Sequence, residues 1–151
     1  MEKDNLRIKI VKGKPTSSDL KILEYLYSKV FEDAQLDFFR NRLNEKENIY
    51  SLIAFENDIP LGFKIGYQYN ESTFYSWVGG VLSNHRTKGI GKKLAHLQEQ
   101  WAKKNNYFKI RTKSMNHFKP MMIFNLKNGF NIVSVYTNAS NQTKIVFEKE
   151  L

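Results

Sequence analysis

The chain has 151 residues, the length of one domain, and a chain this long can bury enough surface to fold without disulfides or metal. Hydrophobic residues make up 41% and charged residues 26%, a globular composition that argues against disorder. No Cys is present, which excludes disulfide frameworks, Cys-ligated zinc and thiol nucleophiles, and the net charge of +9 calls for an anionic partner unless it reflects only a Lys- and Asn-rich composition. In chain order, Arg7–Val11 alternates and reads as a strand. Ser17 or Ser18 can cap a helix whose face carries Leu20, Leu23, Tyr27 and Val30. A second helix is expected from about Asp33 to Lys46, with Leu36, Phe39 and Leu43 at helical spacing. Tyr50–Phe55 and Ile59–Tyr69 read as strands joined at the turn residues Asn57-Asp58. Phe74–Val81 is a third strand of this run, rich in aromatic and β-branched residues. A glycine-bearing turn leads into a helix from about Ile90 to Asn105. Tyr107–Thr112 reads as a strand and Pro120–Lys127 as a short helix, with Gly129 placed as its C-terminal cap. Phe130–Tyr136 and Lys144–Lys149 form a closing pair of strands. Early hairpins followed by a β-α-β crossover predict a mixed sheet with helices, an α+β domain.

His85, His96 and His117 show no i,i+4 spacing and no HExxH, so no metal site is expected. The start, Met1-Glu2-Lys3-Asp4-Asn5, lacks the order of a secretory signal. No apolar run approaches the ~20 residues of a membrane span. A soluble, cytoplasmic protein without membrane partners is expected.

The stretch Val81-Leu82-Ser83-Asn84-His85-Arg86-Thr87-Lys88-Gly89-Ile90-Gly91-Lys92-Lys93 carries the chemistry. A strand ends, a turn with two glycines follows, and a helix begins. The first amides of a helix lack internal partners and sit at the positive end of its dipole, so they bind phosphate. Arg86, Lys88, Lys92 and Lys93 add charge there. A Walker A motif fails, because Lys93 stands where Ser or Thr is needed and Arg86 where the first glycine is needed. The dinucleotide fingerprint fails as well, since its third glycine would fall at Leu94. An isolated GxG is otherwise only a tight strand-to-helix turn.

Arg86-x-x-Gly89-x-Gly91 after a strand and before an amphipathic helix resembles the acetyl-CoA-binding motif of the GNAT N-acetyltransferases. The likeness continues in the strand Lys109–Thr112, Asn116, the helix Pro120–Asn128 and Gly129-Phe130. It implies a single GNAT-like domain over 1–151, with a mostly antiparallel twisted sheet of about 6–7 strands and about 4 helices. It implies acetyl-CoA as co-substrate, no metal, and an amine-bearing small molecule or peptide as acceptor. By motif match, Arg86, Thr87, Lys88, Gly89, Ile90, Gly91 and Lys92 would hold the CoA pyrophosphate. Val81 and Ser83 would pair with pantetheine as an added strand does, and Asn116 and Asn125 would lie along its arm.

At the two catalytic positions the chain differs from many relatives. Asn125 stands where they carry a tyrosine acid, and Tyr75 where some carry a glutamate base. Water relayed through Tyr75 or Ser76 is one base route, and Tyr136 is a further candidate phenol. His85 is expected against the turn and His117 beside the Asn116 loop. Trp77 with Gly79 and Gly80 marks either room for a ligand or an ordinary core tryptophan beside a bulge. Glu32, Asp33 and Asp37 lie toward the expected acceptor region and would favour a cationic amine, unless they are merely solvated. A homodimer is compatible with the resemblance. Two other readings compete with acetyl transfer. One is a CoA-binding protein without catalysis. The other is a basic nucleic-acid-binding domain, disfavoured because no helix-turn-helix, zinc finger or RNP motif is legible.

Overall fold

The computed structural model describes residues 5–86 and 88–151. The elements are β1 (Leu6–Lys12), α1 (Ser17–Val30), α2 (Leu36–Glu45), β2 (Tyr50–Glu56), β3 (Ile59–Gln68) and β4 (Thr73–Val81). A 3-10 turn at Ser83–His85 follows, then α3 (Ile90–Lys104), β5 (Lys109–Met115), α4 (Lys119–Lys127), β6 (Asn131–Thr137) and β7 (Thr143–Glu150). The strands form one seven-stranded sheet in the order β1-β2-β3-β4-β5-β7-β6. Every neighbouring pair is antiparallel except β4 and β5, which α3 connects as a parallel crossover. This is the α+β class expected from the order of elements.

Alternation along the strands feeds two cores, one on each face of the sheet. In β2, Leu52 packs with Phe74, Leu94, Ala102, Ile110 and Phe147 on the α3 side. Its neighbour Ile53 packs with Leu23, Leu26, Phe39, Phe63 and Ile65 on the α1–α2 side. Each such side chain contributes roughly 1.5–3 kcal/mol on burial.

Four local expectations change. Thr16, not Ser17 or Ser18, caps α1: its Oγ1 accepts from the Asp19 amide at 3.3 Å and its carbonyl from the Leu20 amide at 2.8 Å. The buried stripe of α1 is centred on Leu23 and Leu26, with Leu20, Tyr27 and Val30 beside it. Helix α2 opens at Leu36 rather than Asp33, because the Ala34 amide first turns back to the Phe31 carbonyl at 3.3 Å. Strand β5 begins at Lys109 rather than Tyr107. Asn106 has φ 69, and the Tyr107 and Phe108 amides are taken by the Ala102 and Ser72 carbonyls. Gly129 has φ 88 at the end of α4, the left-handed geometry expected of a capping glycine.

The sheet has one irregular seam. Strands β4 and β5 pair only at Thr73–Lys109, Phe74–Ile110 and Tyr75–Arg111. Just beyond that point β4 bulges against β3: Ser76 faces Gly66, Val78 faces Ile65, and Trp77 has no partner position. A bulge bends its strand and increases its twist. From Ser76 to Val81 the β5-facing edge of β4 has no ladder partner.

Candidate functional site

The seam leaves a gap in the ladder between β4 and β5. Its closed end is at Tyr75 and Arg111, where one side-chain bond bridges the strands: Thr112 Oγ1 donates to the Ser76 carbonyl at 2.8 Å. The open end lies at Val81, which is buried, and at the turn that follows. There the Leu82 amide donates to the Leu61 carbonyl at 2.8 Å. Arg86 Nε donates to the Val81 carbonyl at 3.0 Å. The turn is therefore pinned to the end of β4.

Gly89 precedes α3 with φ 78, a left-handed conformation that glycine adopts without strain. It offers no side chain to cap the helix, so the first amides of α3 lack a side-chain acceptor. A Cβ at Gly91 would meet only Val81 Cγ2, at 3.9 Å, so nothing inside the protein requires glycine there. The first turn of α3 holds Lys92 and Lys93 and no acid. Positive side chains at a helix N-terminus oppose its dipole by about 0.3–1 kcal/mol each, an arrangement an anion would reverse. Ser83, Arg86, Lys88 and Lys92 are exposed, whereas the Ile90 side chain is buried in the core and leaves only its backbone for a ligand. Thr87 lies outside the described residues.

At the closed end, burial pushes the Tyr75 phenol well above its usual range. Its ring lies 5.3 Å from that of Tyr67 and 6.2 Å from that of Tyr69. Arg111 donates to Glu148 at 2.9 Å, and Lys109 donates to the same carboxylate at 3.3 Å. Burial acts to raise Glu148, but these two bonds and charges outweigh it and hold the carboxyl below its usual range. Tyr75 therefore stays protonated at neutral pH and cannot itself accept a proton there. Ser76 is buried beside it.

Asn125 is buried in α4 with its side-chain Nδ2 unpartnered, an orphaned donor of the kind that a ligand atom satisfies. Asn116 is exposed and its Oδ1 accepts from Lys119 at 3.1 Å. Tyr136 is on β6 with Lys113 Nζ 5.6 Å from its ring centre. His85 lies on the 3-10 turn with Nδ1 3.7 Å from Glu56, and His117 packs its ring 4.2 Å from that of Phe118. Trp77 is walled by Phe39 at 5.4 Å and Phe38 at 6.5 Å. The spaces at Gly79 and Gly80 are not open to a ligand. A Cβ at Gly79 would meet the Phe63 carbonyl at 2.9 Å and Lys64 at 3.1 Å, and one at Gly80 would meet Val30 at 2.4 Å. Trp77 is thus a packing residue beside a bulge. Among the described residues no His, Cys, Asp or Glu group could hold a metal ion, and no helix is long and apolar enough to cross a membrane.

Arg111, Arg42 and Lys64 escaped the sequence reading. Each sits in a strand or helix without a motif, and its importance comes from strand register and burial.

The chain matches the model of the acetyltransferase (GNAT) family over residues 19–130. No curated protein matches it. A GNAT family acetyltransferase from Elizabethkingia anophelis with acetyl-CoA bound has a TM-score of 0.79 at 20% identity, over 99% of this chain and 100% of that one. The ribosomal-protein-S18-alanine N-acetyltransferase from Escherichia coli has a TM-score of 0.79 at 13% identity, over 95% of this chain and 94% of that one. An IAA acetyltransferase from Bacillus cereus reaches 0.76 at 18% identity, over 97% and 99%. At these identities the likeness is one of fold.

Proposed function

This chain belongs to the acetyltransferase (GNAT) family, and from that premise we propose that residues 1–151 form one catalytic domain that moves an acetyl group from acetyl-CoA to a primary amine of a small molecule or peptide. The amine attacks directly, with both substrates bound together. The observation that carries this reading is the unpaired edge of β4, Ser76 to Val81, running into the uncapped N-terminus of α3.

An extended amide-bearing arm such as pantetheine fits that edge as an added strand would. The pyrophosphate fits the amides of Ile90, Gly91 and Lys92, with Arg86, Lys88 and Lys92 supplying charge and Gly91 leaving its approach clear. Ser83, in the 3-10 turn after β4, continues the edge along which the arm would lie. Asn116 and the orphaned amide of Asn125 serve the arm and the sulfur as hydrogen-bond donors. In the transfer the amine nitrogen bonds to the acetyl carbon as the carbon–sulfur bond breaks. The amine loses one proton to water and the thiolate gains one. Tyr75 is neutral and acts as a donor at this end of the gap, not as a base. Holding both reactants in line supplies about 7–11 kcal/mol of the barrier reduction, more than a base would add.

Melting with and without acetyl-CoA, together with free-thiol release across a panel of amines, tests this reading. Stabilisation by acetyl-CoA and release of thiol with at least one amine are expected. Stabilisation without release from any amine would leave a CoA-binding protein. No stabilisation at millimolar acetyl-CoA would remove the reading altogether.

A further inference from the structure

We propose that the acceptor is a small amine that also carries an oxyanion, a carboxylate or a phosphate, held by a wall of tyrosines and cations at the closed end of the β4–β5 gap. This rests on the acetyl-transfer reading above. Strand register assembles the wall. Tyr75 pairs with Arg111, and Arg111 with Glu148, so the three stand abreast on one face of the sheet. Side chains two residues apart share a face, so Lys113 and Met115 follow Arg111 on it. Met115 pairs with Lys144, and Lys144 with Tyr136, which extends the same face across β7 to β6.

The cations here are held against rings. The Arg111 guanidinium lies 4.9 Å from the Tyr69 ring centre and Lys113 Nζ 5.6 Å from that of Tyr136. Arg42 reaches in from α2, donating to the Tyr67 hydroxyl at 2.8 Å and lying 4.8 Å from the Phe38 ring and 5.4 Å from the Trp77 ring. Stacking of this kind fixes a guanidinium while leaving its N–H groups free for an anion.

The charge balance is one-sided. Glu148 is the carboxylate of this wall and is already committed to Arg111 and Lys109. Arg42, Lys113 and Lys144 have no carboxylate partner among the described residues. Arg111 Nε is buried and donates to nothing, an unmet donor that an acceptor oxygen would satisfy. The acids expected to attract a cationic amine are solvated. Glu32 and Asp33 are exposed, and the Asp37 side chain is 98% exposed and lies 3.6 Å from Arg40. A polyamine meets repulsion at this wall, whereas an amine with an oxyanion finds unused donors.

The test compares kcat/KM, per free amine, for an ω-amino acid and its carboxamide, for an aminoalkyl phosphate and its alcohol, and for a polyamine. The oxyanion form is expected to exceed its neutral partner by about tenfold or more in at least one pair. In Lys113→Gln, whose side chain is exposed, that ratio is expected to shrink about two- to fivefold. In Arg42→Gln it is expected to shrink further. The carboxylate and phosphate pairs then say which oxyanion is used. A ratio near one in both pairs overturns the proposal, as does a polyamine that outperforms every oxyanion acceptor. Equal losses on charged and neutral acceptors in both variants also overturn it. An acetyl-CoA melting shift beside any of these failures leaves the parent reading standing; its absence overturns both.

Discussion

Lys64 shows how one residue bends the rules of a strand interior. It lies between Leu52 and Gly79 across β2, β3 and β4, on the face that α3 covers. A Cβ at Gly79 would come within 3.1 Å of its Cγ, so the glycine gives the lysine room. Burial lowers the amine to about 8, with Glu99 opposing part of the shift. Below pH 8 the amine is charged in both folded and unfolded chains, and the burial penalty is fully present. Between pH 8 and about 10.5 the unfolded chain binds more protons, so stability rises with pH through this window. Lys64→Met is expected to stabilise the fold by ~1–3 kcal/mol at pH 7. That advantage should shrink toward pH 10.5, as urea unfolding at several pH values will read. An advantage that does not change with pH would refute this account of Lys64. Tyr75 sets a second expectation. Its phenol stays protonated, and Glu148 is held as a paired carboxylate, so neither is a ready base. The pH dependence of kcat/KM should therefore follow the ionisation of the acceptor amine. Two acceptors of different amine pKa are expected to give limbs displaced by that difference. A limb shared by both acceptors would point to an enzyme base and sink the idea.

At the scale of the element, the N-terminus of α3 makes two similar glycines behave oppositely. Gly89 has φ 78, so Gly89→Ala introduces left-handed strain and should destabilise by about 1 kcal/mol. Gly91 is helical, and a methyl group there would meet only Val81 at 3.9 Å. Gly91→Ala should therefore keep or slightly raise the melting temperature, since alanine favours a helix by up to ~1 kcal/mol. Its methyl group would stand in the path of the pyrophosphate, and acetyl-CoA affinity is expected to fall tenfold or more. Melting and acetyl-CoA titration of both variants separate the two effects; a Gly91→Ala protein that binds normally would remove Gly91 from the site. This turn was legible in the sequence because a strand end, two glycines and a helix start are contiguous, and local geometry alone makes their chemistry. The wall at Tyr75, Arg111 and Glu148 was not legible. Its members are brought abreast by the order β4-β5-β7, which skips β6, and no local pattern encodes that. On α1 the expected face of Leu20, Leu23, Tyr27 and Val30 does pack in the core, but Leu26 is buried more deeply than its neighbour Tyr27, and only packing against β3 and β4 decides between those two adjacent side chains.

Across the whole molecule, the seam divides the sheet into β1–β4 and β5-β7-β6, joined by three residue pairs and spanned by α3. Charge divides along nearly the same line. From residue 86 to residue 144 there are 12 Lys+Arg and one acid, Glu99, a net of +11; the remainder holds 12 basic and 14 acidic residues, a net of −2, and the two sum to +9. In the first half some basic side chains find acids, as Arg7 does with Asp58, Lys9 with Asp19 and Arg40 with Glu24. Arg86, Lys88, Lys92 and Lys93 around the turn have no such partner among the described residues. A concentrated field raises the encounter rate of a polyanion, and salt screens it over about 10 Å at 0.1 M. The association rate of acetyl-CoA should fall severalfold between about 20 and 200 mM monovalent salt, while its dissociation rate changes less. Position separates a local field from a merely basic composition. Lys93→Gln, exposed in the first turn of α3, should flatten the salt dependence, whereas Lys12→Gln, exposed on the far edge strand β1, should leave it unaltered. Stopped-flow binding of both variants reads the difference directly. Equal flattening would mean that acetyl-CoA responds only to total charge, and the asymmetry along the chain would then have no part in its capture.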